Sequence, residues 1–157
     1  MMKTRTLLIL VAIFATFAIS SCKKSTDNGD PVTGNGSISL TYDGNNWNAS
    51  LSVQAVNTNG IINVTGSDSD ARQASVILMG VTAPGTYETT ATSGNSLRWT
   101  EGLDPAQTYS ANGILGSGSI TVSEISATKI KGSFSFTGLN TNGESKNITN
   151  GAFEASF

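Results

Sequence analysis

The chain has 157 residues, with 9 basic against 11 acidic side chains, a formal net charge of -2, one cysteine and no histidine. Without histidine, Ser-His-Asp and Cys-His catalysis and every imidazole-dependent metal site are excluded. The few Lys and Arg residues form no run beyond the amino-terminal region, so no concentrated basic surface is expected to displace counterions from nucleic acid.

The chain opens with the basic segment MMKTRT and continues into an uncharged apolar stretch from Leu7 to Ile19. That is the plan of a signal peptide covering residues 1–21. A comfortable membrane span needs about 20 apolar residues, and Ser20, Ser21, Lys23 and Lys24 close this one early.

Cys22 is preceded by Ser20 and Ser21, with Ile19 three positions upstream, and these four residues resemble the lipobox of bacterial lipoproteins. The resemblance implies cleavage between Ser21 and Cys22 and a diacylglycerol joined by a thioether to the Cys22 sulfur. Two or more acyl chains give stable membrane attachment, at about 0.8 kcal/mol per buried methylene. A free or disulfide-bonded cysteine is the weaker reading, because there is no second cysteine to pair with. Cleavage would leave seven basic against eleven acidic residues, a net charge of minus four.

Residues 22–36 are rich in Gly, Asn, Asp and Ser and show no apolar periodicity, as a flexible tether requires. At about 5–6 Å times the square root of residue number, such a tether holds the following domain about 20 Å from the lipid.

From residue 37 to 157 short alternating segments are separated by turn clusters, among them DGNN at 43–46, NTNG at 57–60, SDSD at 67–70 and LNTNG at 139–143. One all-β domain is expected, an antiparallel β-sandwich with a closed or flattened β-barrel as the alternative. Leu51, Val53 and Ala55 alternate with Ser50, Ser52 and Gln54, and Ile62, Val64 and Gly66 follow the NTNG turn, which predicts a hairpin.

LDPAQ at 103–107 predicts a short helical turn. Ile130, Gly132, Phe134 and Phe136 share one face of a strand, and Phe153, Ala155 and Phe157 share one face of another, with Phe157 pinned in the sheet. The polar segment from Thr137 to Gly151 reads as the connection of this terminal hairpin.

Several residues are candidates for a site, each with a plainer reading beside it. Trp47 offers an indole for sugar stacking or a core anchor. Trp99, with Glu101 on its side of a possible strand and Arg98 opposite, suggests a carbohydrate platform, against an edge strand with mixed packing. Asp68 and Asp70 resemble the start of a calcium loop, but Ala71, Arg72 and Gln73 break the pattern, and a turn is the better reading. Glu88, Glu101, Asp104 and Glu124 supply carboxylates, yet no spacing selects an acid and base pair. No catalytic residue, metal or cofactor is expected.

Together the lipobox with SCKK, Tyr42-x-Gly44-x-x-Trp47-x-Ala49, PGTY at 84–87, GSITV at 118–122, KIKGSFSF at 129–136 and ITNGAFEASF at 148–157 resemble small Bacteroidota lipoproteins carrying a domain of unknown function. The resemblance implies an all-β cell-envelope lipoprotein and transfers no catalytic or ligand-binding residue. The expected protein is lipid-anchored at the outer membrane, facing the periplasm or the cell surface. Its expected partners are the membrane and a glycan or envelope protein, with no nucleic acid.

Overall fold

The computed structural model describes residues 36–157; the leader, Cys22 and the tether up to residue 35 lie outside the described residues. Gly36, read as the end of the tether, is the first residue of the first strand.

The described chain is built from eleven strands: β1 (Gly36–Tyr42), β2 (Asn45–Asn48), β3 (Ser52–Thr58), β4 (Ile61–Ser67), β5 (Gln73–Met79), β6 (Gly85–Glu88), β7 (Ser96–Thr100), β8 (Thr108–Ala111), β9 (Ser117–Ile125), β10 (Lys129–Leu139) and β11 (Ser145–Ser156). A 3-10 turn at Pro105–Gln107 lies where LDPAQ predicts it, with the Asp104 carboxylate accepting from the Ala106 N–H at 2.9 Å.

All pairings are antiparallel, along the path β2-β1-β11-β10-β8-β7-β5-β4-β3. The sheet forks at β10. Over Ile130–Thr137 this long strand pairs with β9, which in turn carries β6, while its end at Leu139 turns to Ser110 of β8. The sheet curls into a half-barrel, in keeping with the all-β expectation of a sandwich or barrel.

Turn chemistry sets the hairpins. Asp43-Gly44 and Asn59-Gly60 each take positive φ at both residues, between the directly paired Tyr42 and Asn45 and between Thr58 and Ile61. Two-residue loops of this kind match the right-handed twist of the strands they join.

The core sits on the concave side. Ile130, Phe134 and Phe136 of β10 meet Phe153 and Ala155 of β11, all buried, as their alternation predicts. Phe157 lies one residue beyond β11, packs against the core, and donates its N–H to the Thr128 carbonyl at 3.0 Å. Across the curl, Val53, Ala55, Ile62, Val64 and Gly66 face inward as the predicted hairpin requires. At Gly66 a Cβ would collide with Ile38 Cγ2 and Ala49 Cβ, so a residue without a side chain lets the two arms of the curl approach.

Two local expectations are corrected. Leu51 is 52% exposed, because it precedes β3 in a bend where the N–H groups of Ser50 and Leu51 both donate to the Ser67 carbonyl. The segment from Thr137 to Gly151 is mostly strand, the turn occupying only 140–144. Thr137, Ser145 and Asn147 face solvent on a half-buried sheet while Gly138, Ile148 and Gly151 face the core, so much of the polarity there marks a face and not a loop. Asn150, with φ of 50°, sits at a bulge that shifts the register of β11 against both neighbours.

Candidate functional site

The candidate residues of the sequence converge at one place, where β1, β2, β7, β8 and β11 meet the turn between β4 and β5. Trp99 is fully buried and Trp47 is 4% exposed. Their rings pack edge-on at 4.9 Å, and Tyr42 lies tilted against Trp99 at 4.9 Å. Neither indole presents a face to solvent, so the stacking surface that a carbohydrate platform needs is absent at both. The strand of Trp99 is internal, between β5 and β8, and not at an edge.

Each indole N–H is matched to a carboxylate. Trp47 Nε1 donates to Asp68 Oδ2 at 2.6 Å, and Trp99 Nε1 donates to Glu101 Oε1 at 3.0 Å. Asp68 also accepts the backbone N–H groups of Asp70 and Arg72 at 2.9 and 3.0 Å and the Arg72 Nε at 2.8 Å. Arg72 reaches on to Asp70 and, through Nη1, donates to the Tyr42 hydroxyl at 3.0 Å. The SDSD segment is therefore a turn, as expected, whose carboxylates are neutralised by a guanidinium. Among the described residues no group of acidic side chains is arranged to hold a metal ion.

Burial pushes the Asp68 carboxyl up, but the Trp47 indole, the two backbone N–H groups and the guanidinium outweigh it and hold it below the usual carboxylate range.

The second half of the cluster is centred on Lys146 of β11, only 13% exposed in its side chain. Its Nζ lies 2.7 Å from Asp43 Oδ2 and 2.6 Å from Glu101 Oε1, and 5.0 and 5.8 Å from the ring centres of Tyr109 and Tyr42. Burial lowers its affinity for the proton, yet the bonds to Asp43 and Glu101 raise it above that of a free lysine. Every charged side chain in the cluster thus has an opposite charge at hydrogen-bond distance. This arrangement fastens strands together.

The sequence reading singles out Trp47, Trp99, Glu101 and Asp68, and the structure joins all four in this cluster. It misses Lys146, which the reading leaves in a connection, and the role of Arg72, which appears there only as a break in a calcium pattern. The remaining carboxylates are scattered: Glu88 is exposed on β6, Asp104 caps the 3-10 turn, and Glu124 lies 3.7 Å from Lys129.

A different surface carries open polar groups. On the convex face, Thr86, Thr121, Ser133, Ala152, Ser39 and Asn48 form one row across six strands. A second row runs through Glu88, Ser119 and Ser135, crosses the bulge at Thr149, and reaches Thr41 and Asn46. A groove of about 340 Å3 lies between Glu88, Ser119, Ser135, Thr137, Asn147 and Thr149. Neighbouring strands are about 4.8 Å apart, so the rows present hydroxyl and amide groups as a regular grid.

By fold and by cluster the described chain is an all-β domain of one curled antiparallel sheet, with its charged interior groups paired. The family described as a domain of unknown function, DUF6252, matches residues 15–155, and the chain belongs to that family. No curated protein and no solved structure matches it.

Proposed function

We propose that this protein is a lipid-anchored lipoprotein of the bacterial cell envelope whose β domain is a non-enzymatic binding or structural module. The anchor reading rests on Ile19, Ser20, Ser21 and Cys22 following a basic and then apolar leader. The observation that carries the module reading is the saturation of the interior ionic cluster: Asp68, Arg72, Glu101 and Lys146 spend their charges on each other and on aromatic side chains. A general acid or base needs a proton-transfer partner in a cleft, and these groups face strands. The outer membrane is the proposed location, with the domain on either side of it.

Metabolic labelling with an alkynyl fatty acid tests the anchor. Label is expected on the wild-type chain and lost in Cys22→Ala; a Cys22→Ala chain that still incorporates label sinks the reading.

A second reading, a glycan-binding surface lipoprotein, is favoured by the hydroxyl and amide rows of the convex face, in which Glu88 is the one charged side chain. Such a face matches a polyhydroxylated ligand through many weak hydrogen bonds. Glycan-array binding that disappears when Thr149→Lys intrudes on the groove supports it, and an array blank for the wild-type protein removes it.

A further inference from the structure

Four Asn-Gly steps fall among the described residues: Asn59-Gly60, Asn112-Gly113, Asn142-Gly143 and Asn150-Gly151. Asparagine is a chemically labile side chain, and before glycine its carbonyl is open to attack by the next backbone nitrogen, because no Cβ shields that nitrogen. Two groups must be free for the attack. The asparagine amide has to swing over the backbone, and the glycine N–H has to give up its proton.

The four steps differ in both respects. Asn112 Oδ1 accepts the N–H groups of Ile114 and Leu115 at 3.0 and 2.8 Å, and a Cβ on Gly113 would collide with Thr90 and Ala91. Asn150 Nδ2 donates to Thr41 Oγ1 at 3.4 Å, and Gly151 is buried in the ladder opposite Phe134. Gly143 lies open, but its N–H donates to the Asn140 carbonyl at 3.1 Å. Asn59-Gly60 escapes all of these constraints. Both residues are exposed, the Asn59 side chain makes no hydrogen bond among the described residues, and apart from its chain neighbours no atom lies within 4 Å of where a Gly60 Cβ would sit. The Gly60 carbonyl accepts from the Gly80 N–H at 2.9 Å, which holds the turn in place and leaves the Gly60 N–H unpaired.

We infer that Asn59-Gly60 is a self-modification site, where the folded chain deamidates through a cyclic imide. The Gly60 nitrogen bonds to Asn59 Cγ and loses its proton, the side-chain Cγ–N bond breaks, and ammonia leaves with that proton. Water then opens the imide at either carbonyl and gives aspartate or isoaspartate. The sum is amide plus water going to acid plus ammonia, with water as the only co-reactant. The product sets a carboxylate beside Ile61, in a corner where β3, β4 and β5 carry no charged side chain. Isoaspartate also lengthens the main chain inside the two-residue turn that fixes the hairpin register, and so loosens the last rung, Thr58 with Ile61.

The test is peptide mapping by mass spectrometry of the full folded chain held in mildly alkaline buffer, with a sample in urea as the unfolded control. In the folded chain Asn59 is expected to undergo the amide-to-acid mass change several-fold faster than Asn112, Asn142 or Asn150. Its product is expected to separate into aspartate and isoaspartate peptides. In urea the four steps are expected to converge, because the hydrogen bonds and packing that hold the other three are gone. No conversion of Asn59, equal rates in the folded chain, or a lead for Asn59 that persists in urea would overturn the structural selection. Aspartate without isoaspartate would mean direct attack by water and would overturn the role of the Gly60 nitrogen.

Discussion

The Trp47 indole donates to the Asp68 carboxylate at 2.6 Å, with both side chains buried and 21 residues between them in the chain. This bond ties β2, a four-residue edge strand, to the turn between β4 and β5 on the opposite arm of the half-barrel. A strand so short has little ladder of its own, so its anchorage depends on this contact and on the packing of the indole against Trp99.

Removing either end of the bond has unequal consequences. Asp68→Ala leaves the Trp47 N–H unpaired in the core and Arg72 without its buried carboxylate partner, and is expected to cost about 3 kcal/mol. Trp47→Phe keeps a ring in place but withdraws one of four donors from Asp68, and is expected to cost about 1–2 kcal/mol. Urea unfolding of the two variants and the wild type measures both. Equal losses would mean that Asp68 contributes only through the indole.

The same carboxylate sets an acid limit. Its affinity for the proton is lower in the folded chain than in the unfolded one, so the stability it contributes is fully present above the unfolded value of about 3.9 and is lost as pH falls through the lower folded value. Asp68→Asn is expected to be less stable than the wild type at neutral pH, with the gap narrowing below about pH 4. A gap constant from pH 7 to pH 2 would contradict the assigned ionisation.

Lys146 sets a limit of the opposite sign. Its affinity for the proton is raised on folding, so its contribution is fully present below the unfolded value of about 10.4 and is lost as pH rises through the higher folded value. Lys146→Met strands Glu101 and Asp43 without their cation and is expected to cost about 1–3 kcal/mol at pH 7. The difference from the wild type should shrink on alkaline titration, followed by thermal unfolding at a series of pH values. A difference that grows with pH would place the stabilising proton elsewhere.

Gly66→Ala tests the closeness of the two arms. The added methyl would meet Ile38 Cγ2, with Ala49 Cβ 2.8 Å and Val53 Cγ2 3.3 Å away. Overpacking of a core costs about 1–3 kcal/mol, and a melting temperature unchanged by this substitution would show that the arms can part without loss.

Deleting residues 153–157 removes Phe153 and Ala155 from the core and the last rungs that join β11 to both β1 and β10. Loss of cooperative thermal unfolding is the expected result. A truncated chain that melts as the wild type does would show that the end of β11 is dispensable.

Local residue order was enough for the elements and for much of the core. Ile130, Phe134 and Phe136 declare their common face by alternation, and Asp43-Gly44 and Asn59-Gly60 declare their turns, because strand period and positive φ are properties of a few adjacent residues. The polar run from Thr137 to Gly151 was misleading for the same reason: a strand with one face in water has the composition of a loop, and the inward turn of Gly138, Lys146, Ile148 and Gly151 is what distinguishes it.

The sequence by itself also determined what the chain lacks, histidine and a second cysteine, and where an anchor is expected, at Cys22. Only the tertiary structure decided what Trp47, Asp68, Trp99, Glu101 and Lys146 do. Lys146 meets Glu101 across 45 residues and Asp43 across 103, and no local pattern encodes such a meeting. The fork at β10 and the curl of the sheet bring those strands together, and once they are adjacent, burial requires each charge to find its opposite.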